Sequence, residues 1–372
     1  MISVVVFGRN DNHGYNLHKR AAISLNCLAE VLQRSADELI FVDYNTPDEL
    51  PTFPEAICDT LTPQARSVLR ILRVRPSVHA RYAEKTPLAV PEAIARNVGV
   101  RRSSPGSRWI LSTNTDIVLV LRQAGKLAEI ADGLSSGFYH TARFELPESL
   151  WESWDRTDPA RTIEEVRRLG RELRLNEVVF GSDTILYDGP GDFQLVERAP
   201  LFAIDGFDES MLHSWHVDSN LAKRLSLQLG PVRSLLEQVY CYHCDHTRQQ
   251  TFAHRPDTLA NDIERFVEGV TRPDLPEQRD SWGCAGEEVE EIRLPKSNLN
   301  GYRQALQPLI TGLPGDFTET YYTTASYDRV DYDPQRVLLF LADLLNCLPR
   351  DLRLAWCGIR SDTLALVRRL WR

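Results

Sequence analysis

The sequence predicts an α/β protein built on a mostly parallel central sheet, and three observations predict it. Two short apolar runs rich in β-branched residues, 3–7 and 38–44, have the length of strands buried on both faces. Between and after them come stretches with apolar residues at spacings of three and four, the signature of helices with one buried face. The two kinds of segment alternate, strand, helix, strand, helix, strand, which is the order of parallel sheets with helical crossovers.

The first strand ends in polar "GRNDNHG", and a helix follows over 16–34 with Leu17, Ala21, Leu25, Leu28 and Leu32 on one face. "ELIFVDY" is the second strand, stopped by "NTPDELP". Thr62 is suited to N-cap the next helix, with Pro63 at its first position. "VPEAIARNVGV" repeats a proline-led start at Pro91 and leads into the strand of "RWILSTNTDIVLV". A helix around 122–134, a strand "GFYHTARFEL" and a charged helix over 149–175 come next. Near residue 255 the pattern changes, so a main domain of 1–255 and a mainly helical addition of 256–372 are expected. There, "LALVRRLWR" is a short basic amphipathic end carrying Trp371, suited to dock on the domain or to touch a membrane surface.

Composition narrows the class. The net charge of -9 argues against a nucleic-acid partner, because no domain-scale basic excess is present to neutralise phosphates. No apolar run is long enough to span a membrane, and the N-terminal run is too short for a signal peptide. Seven scattered cysteines do not resemble a disulfide framework. The expected setting is the reducing cytoplasm.

Ligands of open α/β sheets sit beyond the carboxyl ends of the strands. Three polar clusters fall there: Arg9-Asn10-Asp11, Asp43-Tyr44-Asn45 and Asn114-Thr115-Asp116. The last presents an amide and a carboxylate two residues apart, oxygen ligands of the kind a hard divalent cation takes alongside substrate phosphates. A second constellation, "AIDGFDESMLHSWHVDSNLAKRL", places Asp208, Glu209 and Trp215 before Asp218, at the start of a helix bearing Leu221 and Leu225. Asp218 suits two tasks there, capping that helix or acting as a general base. In "VYCYHCDHTRQ", Cys241, His243, Cys244, Asp245 and His246 pack five potential metal ligands into one short stretch. Its single CxxC makes a poor zinc site, although distant Cys284 could add a thiolate. Either histidine could instead join a cation at Asp116, or both could line a strand end.

Taken in order, these elements resemble a GT-A glycosyltransferase of the nucleotide-sugar-dependent, inverting kind, over roughly 3–248. "SVVVFGRND" resembles the first strand and nucleotide-facing loop, and "ELIFVDYNTP" the second strand with its nucleobase-side aspartate. "EAIARNVGVRRSSPGSRWILSTNTDIVL" resembles the helix and strand leading to the DxD motif, and "DGFDES...WHVDSNLAKRL" the segment with the catalytic carboxylate. "YHCDHTR" resembles the later strand end whose histidine binds metal in some members. The first DxD position is Asn114 rather than Asp, and the acidic position after Asp218 is Asn220.

The resemblance implies a Rossmann-like GT-A sheet with flanking helices. It implies a donor side of Gly8, Arg9, Asn10, Asp43, Arg96, Asn97, Asn114 and Thr115, and an acceptor side of Asp208, Glu209 and Trp215. It implies Asp218 as general base, and Mn2+ or Mg2+ on Asp116 with His243 or His246. The implied partners are a nucleoside-diphosphate sugar and a saccharide or lipid-linked acceptor, with peripheral membrane contact and homo-oligomerisation left open. Two rival readings use the same residues: a nucleotidyltransferase, and a nucleotide-sugar-binding protein without turnover.

Overall fold

The structure, a computed structural model, describes residues 1–10, 17–32, 37–170, 175–177, 191–213, 216–246 and 264–295. Asp11, Trp215, Trp371 and the expected division at residue 255 lie outside the described residues.

The first half alternates as the sequence predicts: β1 (Ile2–Gly8), α1 (Leu17–Val31), β2 (Glu38–Tyr44), α2 (Phe53–Ala56), α3 (Pro63–Val68), β3 (Leu69–Val74), α4 (Pro76–His79), α5 (Glu92–Arg101) and β4 (Trp109–Ser112). β4 is followed by β5 (Ile117–Leu121), α6 (Leu127–Asp132), β6 (Phe138–His140), β7 (Arg143–Leu146), α7 (Glu148–Trp151), α8 (Pro159–Leu169) and β8 (Leu175–Glu177). The remainder comprises β9 (Gln194–Glu197), α9 (Arg198–Ala203), α10 (Val217–Leu229), β10 (Arg233–Ser234), β11 (Val239–Cys244) and β12 (Glu290–Ile292).

Two sheets result. The larger has the order β10-β6-β9-β4-β1-β2-β3-β12, and the smaller β5-β11-β7-β8. In the larger, β4, β1, β2 and β3 form a continuous parallel block. Antiparallel β9 and β12 border that block on its two sides. This is the mixed α/β class expected, with helices on both faces. Side-chain alternation shows why these strands carry apolar residues on both faces. Val4, Val6, Leu39 and Phe41 pack in one cluster with α1, while Val5, Ile40 and Val42 pack in the other with α5. All five apolar residues of the expected α1 face are buried. Burying each leucine there is worth about 1.5–3 kcal/mol relative to exposure. Helix α5 approaches β1 closely through Gly99, where a Cβ would lie 2.4 Å from Val5 Cγ1.

Several boundaries differ from expectation for local reasons. Thr62 caps α3 as predicted, its hydroxyl accepting from Ala65 N at 3.1 Å. Pro91 instead occupies the cap position of α5, one residue before the helix. The expected helix at 149–175 is two, α7 and α8. Between them Asp155 Oδ1 accepts from Thr157 N (2.9 Å) and Oγ1 (2.7 Å), and Asp158 caps α8 ahead of Pro159. The expected helix at 122–134 starts only after Lys126, whose N–H donates to Glu129 Oε2 at 3.0 Å.

The largest correction concerns "GFYHTARFEL". It is two strands, β6 in the large sheet and β7 in the small one. The chain makes the same change at 113–116, where β4 belongs to the large sheet and β5 to the small one. The Asn-Thr-Asp interruption therefore marks a passage between sheets. In the expected C-terminal addition, the described part carries a π turn at 264–268, a 3-10 turn at 276–278 and β12. β12 pairs with β3, and Trp282 and Cys284 pack in the α5 cluster. Among the described residues, no helix is long and apolar enough to cross a membrane.

Candidate metal and transfer site

The passage between sheets puts Asp116 beside β11. Cys244 N donates to Asp116 O at 2.9 Å, and β11 runs antiparallel to β5 with His243 opposite Ile117. Asp116 Oδ2 then lies 3.5 Å from His243 Nε2 and 3.5 Å from His246 Nε2. Arg20 Nε of α1 stands 3.5 Å from the same oxygen. The three candidate ligand atoms of Asp116, His243 and His246 lie within 4.8 Å of one another, and all three residues are buried.

That set fits one divalent cation. Donors held roughly 2.1 Å from a shared ion stand about 3.0–3.5 Å apart at the usual bond angles. Both histidines, not one, belong to this candidate group. A second group, Glu145, His243 and Asp245, is equally compact, but Glu145 Oε2 is 2.6 Å from His243 Nδ1. That separation is a hydrogen bond and leaves no space for an ion between them. Among the described residues, neither candidate group includes a cysteine, and Cys241, Cys244 and Cys284 form no disulfide.

Protonation follows the geometry. Burial alone would raise the Asp116 pKa, but His243, the His246 hydrogen bond and Arg20 hold it well below the usual carboxylate range. Burial and Arg143 oppose a charge on His243, yet Glu145 and Asp116 outweigh them and raise its pKa. His246 is driven down to about 3 by burial and then by Arg20, so it is neutral and able to ligate.

A buried polar chain extends from this cluster. Arg143 and Glu145 alternate on β7 and share a face with Cys241 and His243 of β11, their register partners. Arg143 Nη2 donates to Glu145 Oε1 (2.7 Å), and its Nη1 to Asp192 Oδ2 (2.9 Å). Asp192 Oδ1 accepts from Asn114 Nδ2 at 2.7 Å, and Asn114 Oδ1 accepts from Arg96 Nη2 at 2.6 Å. Arg96 is fully buried and also donates to Glu92 Oε1 (2.8 Å) and Ser112 Oγ (2.6 Å). Asn114 is thus clamped between a guanidinium and a carboxylate.

Asp218 reaches the same region from α10. It is the second residue of that helix, whose cap position is His216, so the capping role open in the sequence is not the one it takes. Its Oδ2 accepts from Gly191 N at 2.9 Å. A Cβ on Gly191 would lie 2.7 Å from Asp218 Oδ2 and 2.8 Å from Arg96 Nη2. A side chain at this position would have to displace one of the two.

The other expected residues fall elsewhere in the site region. Gly8 ends β1, where a Cβ would meet Phe41 Cζ at 2.9 Å and Thr115 Cγ2 at 3.7 Å. Arg9 Nε donates to Asn45 O (2.8 Å), and Asn10 N to Thr46 Oγ1 (2.9 Å). These bonds tie the ends of β1 and β2 together. Asp43 is fully buried, its Oδ1 accepting from Phe53 N (2.7 Å) and Thr46 Oγ1 (3.0 Å), and burial lifts its pKa to about 6. Asn97, Asp208 and Glu209 form a separate set. Asn97 donates to Phe207 O (2.8 Å) and Glu209 Oε1 (2.9 Å) and accepts from Phe207 N (2.7 Å). Glu209 also accepts from Gly283 N at 2.6 Å, and Asp208 Oδ1 from Ser210 N at 2.9 Å. These three residues anchor the 206–210 loop and the 278–283 segment rather than joining the chain at Asp116.

Arg143, Glu145 and Asp192 were not singled out in the sequence. Two charges at alternate positions of an otherwise apolar strand were the available signal, because buried charges persist only when paired.

No protein-family model matches the chain, and no curated protein matches it. Solved structures similar to it include TarS 1–349 of S. aureus in complex with UDP-GlcNAc, at 14% identity and TM-score 0.43, covering 96% of this chain and 91% of that one. Another is GalNAc-T7 with UDP, GalNAc and Mn2+, at 12% identity and TM-score 0.43, covering 82% of this chain and 54% of that one. A third is glucosyl-3-phosphoglycerate synthase from Mycobacterium tuberculosis with phosphoglyceric acid, at 13% identity and TM-score 0.35, covering 68% and 73%. Likenesses this loose place no individual side chain.

Proposed function

We propose that the chain is a metal-dependent, inverting glycosyltransferase of GT-A type. It moves a sugar from a nucleoside diphosphate to an acceptor hydroxyl, in polysaccharide or other glycoconjugate synthesis. The observation that carries the reading is the buried Asp116–His243–His246 cluster at the passage between the two sheets. The ordered resemblance of the flanking elements supports it.

In this reading Asp116, His243 and His246 hold Mn2+ or Mg2+, whose charge stabilises the departing diphosphate. The resemblance assigns Gly8, Arg9, Asn10, Asp43, Arg96, Asn97, Asn114 and Thr115 to the donor side, with Asp43 toward the nucleobase; of these, Asn97 acts through the loop it anchors at Phe207 and Glu209. Asn114, fixed by Arg96 and Asp192, presents no second carboxylate, so two imidazoles supply what the usual second acid would. Asp218 removes the proton of the acceptor hydroxyl as it attacks the anomeric carbon opposite the diphosphate. A single displacement of this kind inverts that centre. The resemblance assigns Asp208, Glu209 and Trp215 to the acceptor side. We place the catalytic domain at 1–255 and its addition at 256–372.

The test is calorimetry with a panel of nucleoside diphosphates, with and without Mn2+, followed by donor-consumption assays and NMR of the product anomer. Cation-dependent binding of one nucleotide, turnover of its sugar conjugate and an inverted product are expected. Nucleotide binding without turnover of any donor would favour a binding protein, and a retained anomer would rule out the single displacement.

A further inference from the structure

We infer that Glu145 is a positioning residue for His243: it accepts the Nδ1 proton and so leaves the Nε2 lone pair facing Asp116. The inference rests on the proposed cation at Asp116, His243 and His246.

Two groups compete for His243 Nδ1. Glu145 Oε2 lies at 2.6 Å and Arg143 Nη2 at 3.4 Å. A guanidinium can only donate, so it favours an unprotonated Nδ1; a carboxylate can only accept, so it favours Nδ1–H. The shorter contact decides for Glu145, since a bond at 2.6 Å is charge-assisted and one at 3.4 Å is marginal. The opposite nitrogen, Nε2, is the one 3.5 Å from Asp116. A ring with its proton on Nδ1 is the tautomer that can ligate through Nε2.

The two oxygens of Glu145 divide the work. Oε1 takes both Nε (3.0 Å) and Nη2 (2.7 Å) of Arg143, while Oε2 takes the imidazole. The paired strands set this geometry, because Glu145 and His243 are register partners in a parallel pairing and their side chains leave the sheet on one face. Arg143 is turned away from the ring by its bond to Asp192 Oδ2 at 2.9 Å. A ligating histidine held by a carboxylate on its other nitrogen is more basic and better oriented than a free one.

The test uses the full chain, Mn2+ calorimetry and 15N NMR of labelled histidine in metal-free protein, at alkaline pH where the ring is neutral. Glu145→Gln should weaken Mn2+ binding by about 10- to 100-fold. In a His243→Ala background it should cost nothing further, because its effect passes through the ring. Equal losses in both backgrounds, or no loss in either, overturn the inference. The NMR should show the His243 proton on Nδ1 in the wild-type chain; a proton on Nε2 overturns the inference. An Nδ1–H ring in a wild-type chain that binds no Mn2+ sinks the metal reading instead, and keeps Glu145 as the group that orients the ring. Glu145→Asp, which keeps the charge beside Arg143 but withdraws it by one methylene, gives the same readouts if the glutamine variant does not fold.

Discussion

His243 Nε2 stands 3.5 Å from Asp116 Oδ2, and the contact depends on the chain leaving one sheet for another. β4 ends at Ser112 in the large sheet, and β5 begins at Ile117 in the small one, opposite His243. Asp116 is the last residue of the link. The carboxylate is thereby pinned between two sheets, on rigid elements rather than a loop tip, which is what a preorganised metal ligand needs.

Replacing Asp116 by Ala removes the only carboxylate of the cluster. Mn2+ affinity, and with it cation-dependent nucleotide binding, should fall by an order of magnitude or more. Calorimetry reads both; unchanged affinities would sink the metal assignment.

Asp218→Asn keeps an oxygen for the Gly191 N–H but cannot take a proton. Donor binding should stay nearly intact while transfer falls about 100-fold or more. Gly191→Ala should also slow transfer, because its Cβ would lie 2.7 Å from Asp218 Oδ2 and push that carboxylate aside. Transfer at the wild-type rate in Asp218→Asn would reduce Asp218 to a structural contact.

Gly99→Ala sets helix propensity against packing. Alanine gains about 1 kcal/mol inside a helix, but overpacking costs about 1–3 kcal/mol. The Cβ would meet Val5 Cγ1 at 2.4 Å and Val42 Cγ2 at 3.0 Å, both on stiff β-branched side chains. Packing wins, and chemical denaturation should show a net loss of up to about 2 kcal/mol. A stabilised variant would mean that α5 can move away from β1.

Glu209 makes stability depend on pH. Burial lifts its pKa from 4.5 to about 7, against the opposing bonds from Gly283 N and Asn97. Between those values the folded chain holds a proton that the unfolded chain has released, so stability falls as pH rises. The contribution is complete below pH 4.5 and lost as pH passes about 7. Glu209→Gln should flatten this part of the profile in urea melts taken across that range. An unchanged slope would place the charge of Glu209 in solvent.

The strand and helix order, the buried face of α1 and the cap at Thr62 were legible in the sequence. All are local: each depends on periodicity or on a residue three positions away. Asp116, Asp218 and the histidines were legible as candidates because their spacing and order resemble a known family. What stayed hidden were Arg143, Glu145 and Asp192, whose links to His243 and Asn114 join residues distant in sequence. "GFYHTARFEL" reads as one strand because nothing in its period announces that the chain changes sheets at Thr141 and Ala142.

By itself, then, the sequence determined the α/β class, the sites where strands give way to polar residues, and the side chains able to bind a cation or take a proton. Tertiary structure alone decided which of them meet. It selected both His243 and His246 for Asp116, turned Asn114 toward Arg96 and Asp192, and drew Asn97 and Glu209 into a loop anchor. The physical reason is that a buried polar group must find its partner in the folded state. That partner is supplied by strand register and sheet order, which no short stretch of sequence contains.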